Sequence, residues 1–221
     1  MNPIRTLLFQ FLFLLLLNSN VFCQGYRNLD YNTVDDSLCE LTVNIHRELP
    51  NYIFSIFFVF DTLDNTKKVT RIEVRRESSN RIIQYLKMPI EISRFNPDRC
   101  FAADMNFDGY SDLLIGYNDG SAGGQYCVWL YRPKTGKFIF NNDLSDLRDP
   151  DPDSTTKTIT SYYASGISGC SIYTHCIKNY KLILLREEET ENDIKTNQSI
   201  KTIKIFRNGK IISIKVDTTS F

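Results

Sequence analysis

The sequence predicts a mainly β protein, a single antiparallel β-sandwich or propeller-like domain with an acidic loop between two of its strands. Three observations favour this fold class. Short runs of β-branched and aromatic residues recur along the chain, turn residues separate these runs, and no stretch shows a convincing helical period. No internal repeat is visible, and this disfavours a complete propeller.

The first 23 residues predict a secretory signal peptide. Arg5 gives it a charged head, and the almost unbroken apolar run from Leu7 to Leu17 follows. This run is shorter than the roughly 20 residues that cross a membrane as a helix, so we expect no transmembrane span. Cleavage after Cys23 is one interpretation, and a lipid anchor on Cys23 is the other. Either way, the protein is expected in the periplasm, outside the cell or, if lipidated, on the outer membrane.

The mature chain is expected to comprise a flexible N-terminal arm at residues 24–36 and a single β-rich domain at residues 37–221. Tyr52 to Phe60 is almost entirely apolar, as in a strand that is covered on both faces. Asn208-Gly209 favours a tight hairpin, because both residues tolerate a positive φ. The other predicted strands are Glu40 to Arg47, Lys68 to Arg76, Arg81 to Lys87, Gln125 to Tyr131, Lys137 to Phe140, Lys157 to Ala164, Ile172 to Ile177, Lys181 to Arg186, Ile203 to Phe206 and Ile211 to Val216.

Composition disfavours several classes of function. The chain has 26 Lys and Arg residues and 26 Asp and Glu residues, so its charge does not favour nucleic acid as a partner. Only two histidines are present, which disfavours a His-rich zinc site. No nucleophile motif or phosphate-binding glycine loop occurs, and we expect no enzyme. His175 lies beside Cys176, but neighbours on a strand point to opposite faces and cannot form a catalytic pair.

Five cysteines remain after cleavage at Cys23, and an oxidising compartment favours their pairing. Two bonds with one thiol left over can form in several ways, so the connectivity stays open. Cys170 and Cys176 are closest in sequence and are candidates for a bond that would close one local loop.

Residues Asp104 to Asp112 have the spacing of a calcium loop. Oxygen-bearing side chains occupy its first, third, fifth and ninth positions, and glycine occupies the sixth. Calcium binds six to eight oxygens, and this spacing wraps a short chain around one ion. The predicted ligands are the side chains of Asp104, Asn106, Asp108 and Asp112 and the backbone carbonyl of Tyr110.

The loop differs from a helix–loop–helix calcium hand. Ile115 stands at the twelfth position, where such a hand has a bidentate Glu. The run from Leu113 to Ile115 resembles a strand that leaves the loop, as in integrin-type (FG-GAP-like) calcium loops. We expect calcium to be structural here, and the alternative is an acidic turn that binds no metal.

Five linked motifs resemble a family of exported bacterial immunity proteins that is related to the periplasmic lysozyme inhibitors. The motifs are Asp104 to Asp112, Gly123-Gly124-Gln125-Tyr126, Val128-Trp129-Leu130-Tyr131, Thr135-Gly136-Lys137-Phe138 and Leu144-Ser145-Asp146-Leu147. The resemblance implies a non-catalytic inhibitor whose partner is a peptidoglycan hydrolase or another lysozyme-like protein.

Inhibitors of this kind insert a loop in the active cleft of the target, and the segment from Ser165 to Tyr173 resembles such a loop. The resemblance implies Ser168, Ser171 and Tyr173 as partner contacts, with a Cys170–Cys176 bond to preorganise them. The alternative is an ordinary turn between strands.

Two other functions stay open. A non-catalytic cell-surface or periplasmic module would bind glycan or protein through exposed aromatic residues such as Tyr117 and Tyr126. A hydrolase of unrecognised type is the third hypothesis, which the scarcity of histidine disfavours.

Overall fold

The computed structural model describes residues 22–28, 36–61, 66–89, 95–120 and 123–220. In this part of the chain, fifteen strands form three antiparallel sheets, which confirms the predicted mainly β fold class. A short helix, α1 (Asn142–Ser145), is the one α-helix there. No helix in the same ranges is long and apolar enough to cross a membrane. The charged and apolar segments of the predicted signal peptide lie outside the described residues.

The first sheet contains five strands in sequential order. Its first strand covers the predicted cleavage site and the start of the predicted arm, and the sequence did not predict it. In β3, Phe54 and Ile56 are fully buried on one face, whereas Phe57 on the other is covered by Arg71, 4.0 Å from its ring centre. The strands are β1 (Phe22–Asn28), β2 (Asp36–Val43), β3 (Tyr52–Asp61), β4 (Thr66–Arg76) and β5 (Arg81–Leu86).

The second sheet packs on the first and contains β6 (Cys100–Ala103), β7 (Asp112–Gly120), β8 (Gly123–Arg132) and β9 (Lys137–Phe140). Cys127, Trp129 and Tyr131 lie on one face of β8 and are buried in the core that both sheets share. The side chain of Gln84 links the two sheets. It donates to the Phe138 carbonyl at 2.7 Å and accepts from the Phe138 N–H at 2.9 Å.

The third sheet contains β10 (Asp151–Asp153), β11 (Thr158–Ala164), β12 (Gly169–Lys178), β13 (Lys181–Asp193), β14 (Gln198–Arg207) and β15 (Lys210–Ser220). A second core joins β11 to the other face of β8, and Met105, Val128 and Ile159 are fully buried in it. Asn208 and Gly209 have φ of 51° and 72° between β14 and β15, which confirms the predicted hairpin.

Candidate functional site

The Asp104–Asp112 loop connects β6 to β7 and is held in shape by its own carboxylates. Asp104 accepts hydrogen bonds from the backbone N–H of Asp108 at 3.1 Å and of Gly109 at 2.8 Å. Asn106 Oδ1 accepts from the Asp108 N–H at 3.0 Å, and Asp108 Oδ1 accepts from the Tyr110 N–H at 3.0 Å. Gly109 has φ of 89°, a conformation that glycine adopts without strain. The loop therefore turns back on itself.

Asp112 anchors the end of the loop to the sheet. Its side chain is fully buried, and its two oxygens accept from the backbone N–H of Met105 at 2.9 Å and of Tyr131 at 2.8 Å. The pKa of this carboxyl is raised from 3.8 to about 8, chiefly because the group is buried. The charges of Asp108 and Asp104 also raise the pKa, whereas the two hydrogen bonds lower it. A buried carboxylate with two acidic neighbours favours a cation that would balance their charge.

Tyr110 packs the loop against the first sheet. Its ring stacks on His46 in the turn after β2, with 4.5 Å between the ring centres. On its other side it meets Tyr131 at 5.5 Å. The N–H of Ser111 donates to the Ile45 carbonyl at 2.8 Å. The conformation of the loop is therefore linked to the packing of the first two sheets.

The predicted ligands of the loop are all oxygen atoms. Across the described ranges, no three His, Cys, Asp or Glu side chains form a metal-binding group. The predicted ligand set also includes the amide oxygen of Asn106 and the carbonyl oxygen of Tyr110, which do not belong to those side-chain types. Hard oxygens of mixed type are the ligands that calcium prefers. The residues that would hold it are Asp104, Asn106, Asp108, Tyr110 and Asp112.

The structure divides the segment from Ser165 to Tyr173 into a hairpin tip and a strand. The tip joins β11 to β12 through a single 3₁₀ turn, Gly166–Ser168. Ile167 is 77% exposed at this tip, and Ser168 beside it is exposed as well. Gly169 closes the tip with φ of 140°, and a Cβ at this position would overlap the carbonyl oxygen of Thr190.

Ser171 and Tyr173 lie within β12, between β11 and β13. They point to the same face of the sheet, because they are two residues apart on one strand. Tyr173 is half-buried, and its ring meets Tyr163 edge-on at 5.3 Å. These two predicted contacts are therefore parts of a sheet surface and not of a protruding loop.

A recess of about 320 Å³ lies beside the hairpin tip. Ser168 and Ser171 both line this recess, and Tyr173 is not among its lining residues. Four of the lining residues come from β13, where the alternation of Glu189 and Glu191 places both on one face. The lining residues are Ser165, Ser168, Cys170, Ser171, Glu189, Thr190, Glu191 and Asn192.

The proposed Cys170–Cys176 bond is wrong. Both thiols are free, and both belong to β12, where they are six residues apart. At a rise of about 3.3 Å per residue their Cα atoms are roughly 20 Å apart, far beyond the approximately 7 Å limit of a disulfide. The hairpin tip is held instead by backbone bonds, including Ser165 N–H to the Gly169 carbonyl at 3.0 Å.

The Gly123-Gly124-Gln125-Tyr126 motif has a structural role. The guanidinium of Arg99 lies 4.7 Å from the centre of the Tyr126 ring, and a Cβ on Gly124 would overlap it. Asp149 accepts from the Gly124 N–H at 2.9 Å and from Arg99 at 3.3 Å. Tyr126 is buried, so the hypothesis that it is an exposed aromatic contact is wrong. Tyr117 is partly buried against the first core.

Several residues at and around the tip do not belong to any of the sequence motifs. Ile167 was not singled out, although it is the most exposed large apolar side chain at the tip. Glu189, Glu191 and Asn192 lie in β13 beyond Arg186, where the predicted strand ends. A period of two along Glu187, Glu189 and Glu191 was the available signal, because it marks one face of a strand.

Comparisons with known proteins give one similar structure. No protein-family model matches the sequence, and no characterised protein matches it. Among solved structures, the chain is similar to one described as "Structure of a Xanthomonas Type IV Secretion System related protein", with a TM-score of 0.47 and 17% identity. The match covers 88% of this chain and 93% of that one.

Proposed function

We propose that this protein is an exported, calcium-binding inhibitor or immunity protein that blocks a peptidoglycan hydrolase and catalyses no reaction itself. One observation carries the proposal: a narrow hairpin tip presents the exposed Ile167 between Ser165 and Ser168. A narrow tip can enter a cleft, where an apolar side chain fills a pocket and hydroxyls donate hydrogen bonds to catalytic carboxylates. The family resemblance of the sequence motifs supports the same function.

The tip is preorganised, and this favours its use as an inhibitor. Its backbone is fixed by the bond from Ser165 to Gly169 and by the donation of Asn192 Nδ2 to the Ile167 carbonyl at 3.2 Å. A loop that is already ordered loses little conformational entropy when it binds. Ser171 and Tyr173 would contact the rim of the target cleft from the sheet surface beside the tip.

Calcium would act at a distance from the tip, as a structural ion. The loop from Asp104 to Asp112 would hold the ends of β6 and β7, and Met105 beneath it is fully buried in the core that contacts β11. An ion that binds only the folded protein stabilises it by mass action. The mature protein would thus depend on calcium for stability more than for contact with the hydrolase.

The test is inhibition of a panel of peptidoglycan hydrolases by the mature protein, with calcium and then with a chelator. The panel includes lysozymes of several types and any hydrolase that is encoded beside this gene. Ile167→Asp is expected to abolish stoichiometric inhibition, because a carboxylate would meet the acidic cleft. Ile194→Asp is the matched control, since Ile194 is 57% exposed at the tip between β13 and β14.

Inhibition that survives Ile167→Asp, or is lost equally with Ile194→Asp, would remove the tip from the binding site. No inhibition by the folded wild-type protein would favour the binding module for glycan or protein, which saturable binding to purified cell wall would then identify. Turnover of any substrate by the purified protein would show that it is an enzyme and contradict the proposal.

A further inference from the structure

The two outer edges of the third sheet differ sharply. At one edge, β10 is three residues long and contains Pro152, which has no N–H to donate. At the other edge, β15 is eleven residues long, and every one of them is exposed. Within the described part of the chain, no strand pairs with the outer side of β15. A long open edge of this kind is a template for another strand.

The side chains of β15 are apolar where an isolated edge strand would be polar. Ile211, Ile212, Ile214 and Val216 are between 49% and 59% exposed. Neither core contains a residue of β14 or β15 among the described residues, and all of β15 is exposed. Burying these β-branched side chains against a further strand would be favourable.

We propose that β15 pairs with β15 of a second copy of this chain, antiparallel and around a two-fold axis at Val216. Lys215 and Asp217 flank Val216 and form an ion pair at 2.7 Å within the strand. In this register, Lys215 of each copy lies directly opposite Asp217 of the other, and the two Val216 side chains face each other. A two-fold axis at Lys215 would instead bring two lysines together, so the charge pattern favours the Val216 register over that one.

This pairing uses the long open edge of both copies and leaves none for a third copy. The combined sheet then ends on both sides at β10, which Pro152 protects. An interface of this type is isologous and gives a dimer, not a fibre. The inference does not rest on the proposed function, because the hairpin tip between β11 and β12 takes no part in the contact.

The test is sedimentation of the mature protein over micromolar concentrations, with charge variants of β15. The wild-type protein is expected to be a concentration-dependent dimer. Asp217→Lys and Lys215→Asp should each raise the dimer dissociation constant roughly tenfold or more, because each substitution replaces two attractive pairs by two repulsive ones. An equimolar mixture of the two variants should dimerise again, since two acidic side chains then face two basic ones across the interface.

The mixture distinguishes charge pairs between two copies from the ion pair within one strand. Mixing can restore the pairs between copies, but it cannot restore the internal ion pair of either variant. A monomeric wild-type protein, single variants that dimerise as well as wild type, or a mixture that stays monomeric would each overturn the proposal. Formation of polymers larger than a dimer would do so too.

A cross-linking experiment tests the register. Val216→Cys should form a disulfide-linked dimer on mild oxidation beyond the wild-type background, because the two side chains face each other. Lys210→Cys is the control, since position 210 lies on the same exposed strand outside the paired region. Equal cross-linking of the two variants would indicate random collision and contradict the two-fold contact at Val216.

Discussion

The Asp104–Asp112 loop and the segment from Ser165 to Tyr173 are equal in length, but they adopt different structures. In the loop, backbone N–H groups donate to the carboxylates of Asp104 and Asp108, so four of the predicted ligands remain in one turn, and the fifth, Asp112, begins β7. In the other segment, the chain leaves the tip and enters β12, and the predicted contacts separate onto a tip and a sheet face. A site within one self-bonded turn is encoded locally, whereas a surface site depends on neighbouring strands.

The largest expected effect concerns the anchor of the Asp104–Asp112 loop. Asp112→Ala should lower the free energy of unfolding by about 2 to 5 kcal/mol, because it leaves the buried N–H groups of Met105 and Tyr131 without acceptors. Chemical denaturation measures this loss. Asp151→Ala, which removes an exposed carboxylate in β10, should change stability by less than about 0.5 kcal/mol. Similar losses in the two variants would contradict the anchoring role of Asp112.

Removal of calcium should reveal the raised pKa of Asp112 as a pH dependence of stability. In chelator, folded Asp112 keeps its proton up to its pKa of about 8, whereas the unfolded carboxyl releases it near 3.8. The folded state then binds more protons between these values, so stability should fall as the pH rises from about 4 to 8. Calcium at roughly 100 times its Kd should add about 2.7 kcal/mol and reduce this dependence, because the cation favours the carboxylate. Melting temperatures that decline equally with pH in calcium and in chelator would exclude binding in the loop.

A smaller effect tests whether Tyr173, on the face of β12, contacts the hydrolase. Tyr173→Ala should weaken hydrolase inhibition about tenfold and lower stability by about 1 kcal/mol, because the edge-on contact with Tyr163 is lost. Tyr163→Ala removes the same ring contact while it keeps Tyr173, so it is the control for stability. If both variants lose inhibition to the same extent, Tyr173 acts through packing and does not touch the hydrolase.

The smallest effect concerns the thiols of β12. Replacing Cys170 and Cys176 together by serine should leave inhibition unchanged and alter stability by no more than about 0.5 kcal/mol, because no bond links them. Mass spectrometry of the alkylated, unreduced wild-type protein should find both thiols modified. A mass that corresponds to a bond between these two cysteines would require a different course for β12.

The difference between the two segments also explains what could be predicted from the sequence. The predicted strands and the hairpin at Asn208-Gly209 depend on local pattern, and the structure shows most of them near their expected bounds. The strand β13 is the exception, because it continues to Asp193, seven residues beyond the predicted end at Arg186. The burial of Tyr126 depends on Arg99 and Asp149, which are distant in sequence and can only be placed by the fold. The recess likewise combines residues of β12 and β13, whose register follows from a bulge at Thr174/His175 that no local motif predicts.

The two glycines of the hairpin tip have an evolutionary consequence. Gly166 has a positive φ of 66°, and Gly169 approaches Thr190 so closely that it admits no side chain, so both positions are constrained by the backbone. Ile167 and Ser168 between them are exposed, and their side chains carry little of the fold. In the proposed inhibitor, selection could therefore change these two residues to follow a diverging target while the scaffold stays the same, so that related chains would differ in specificity without differing in architecture.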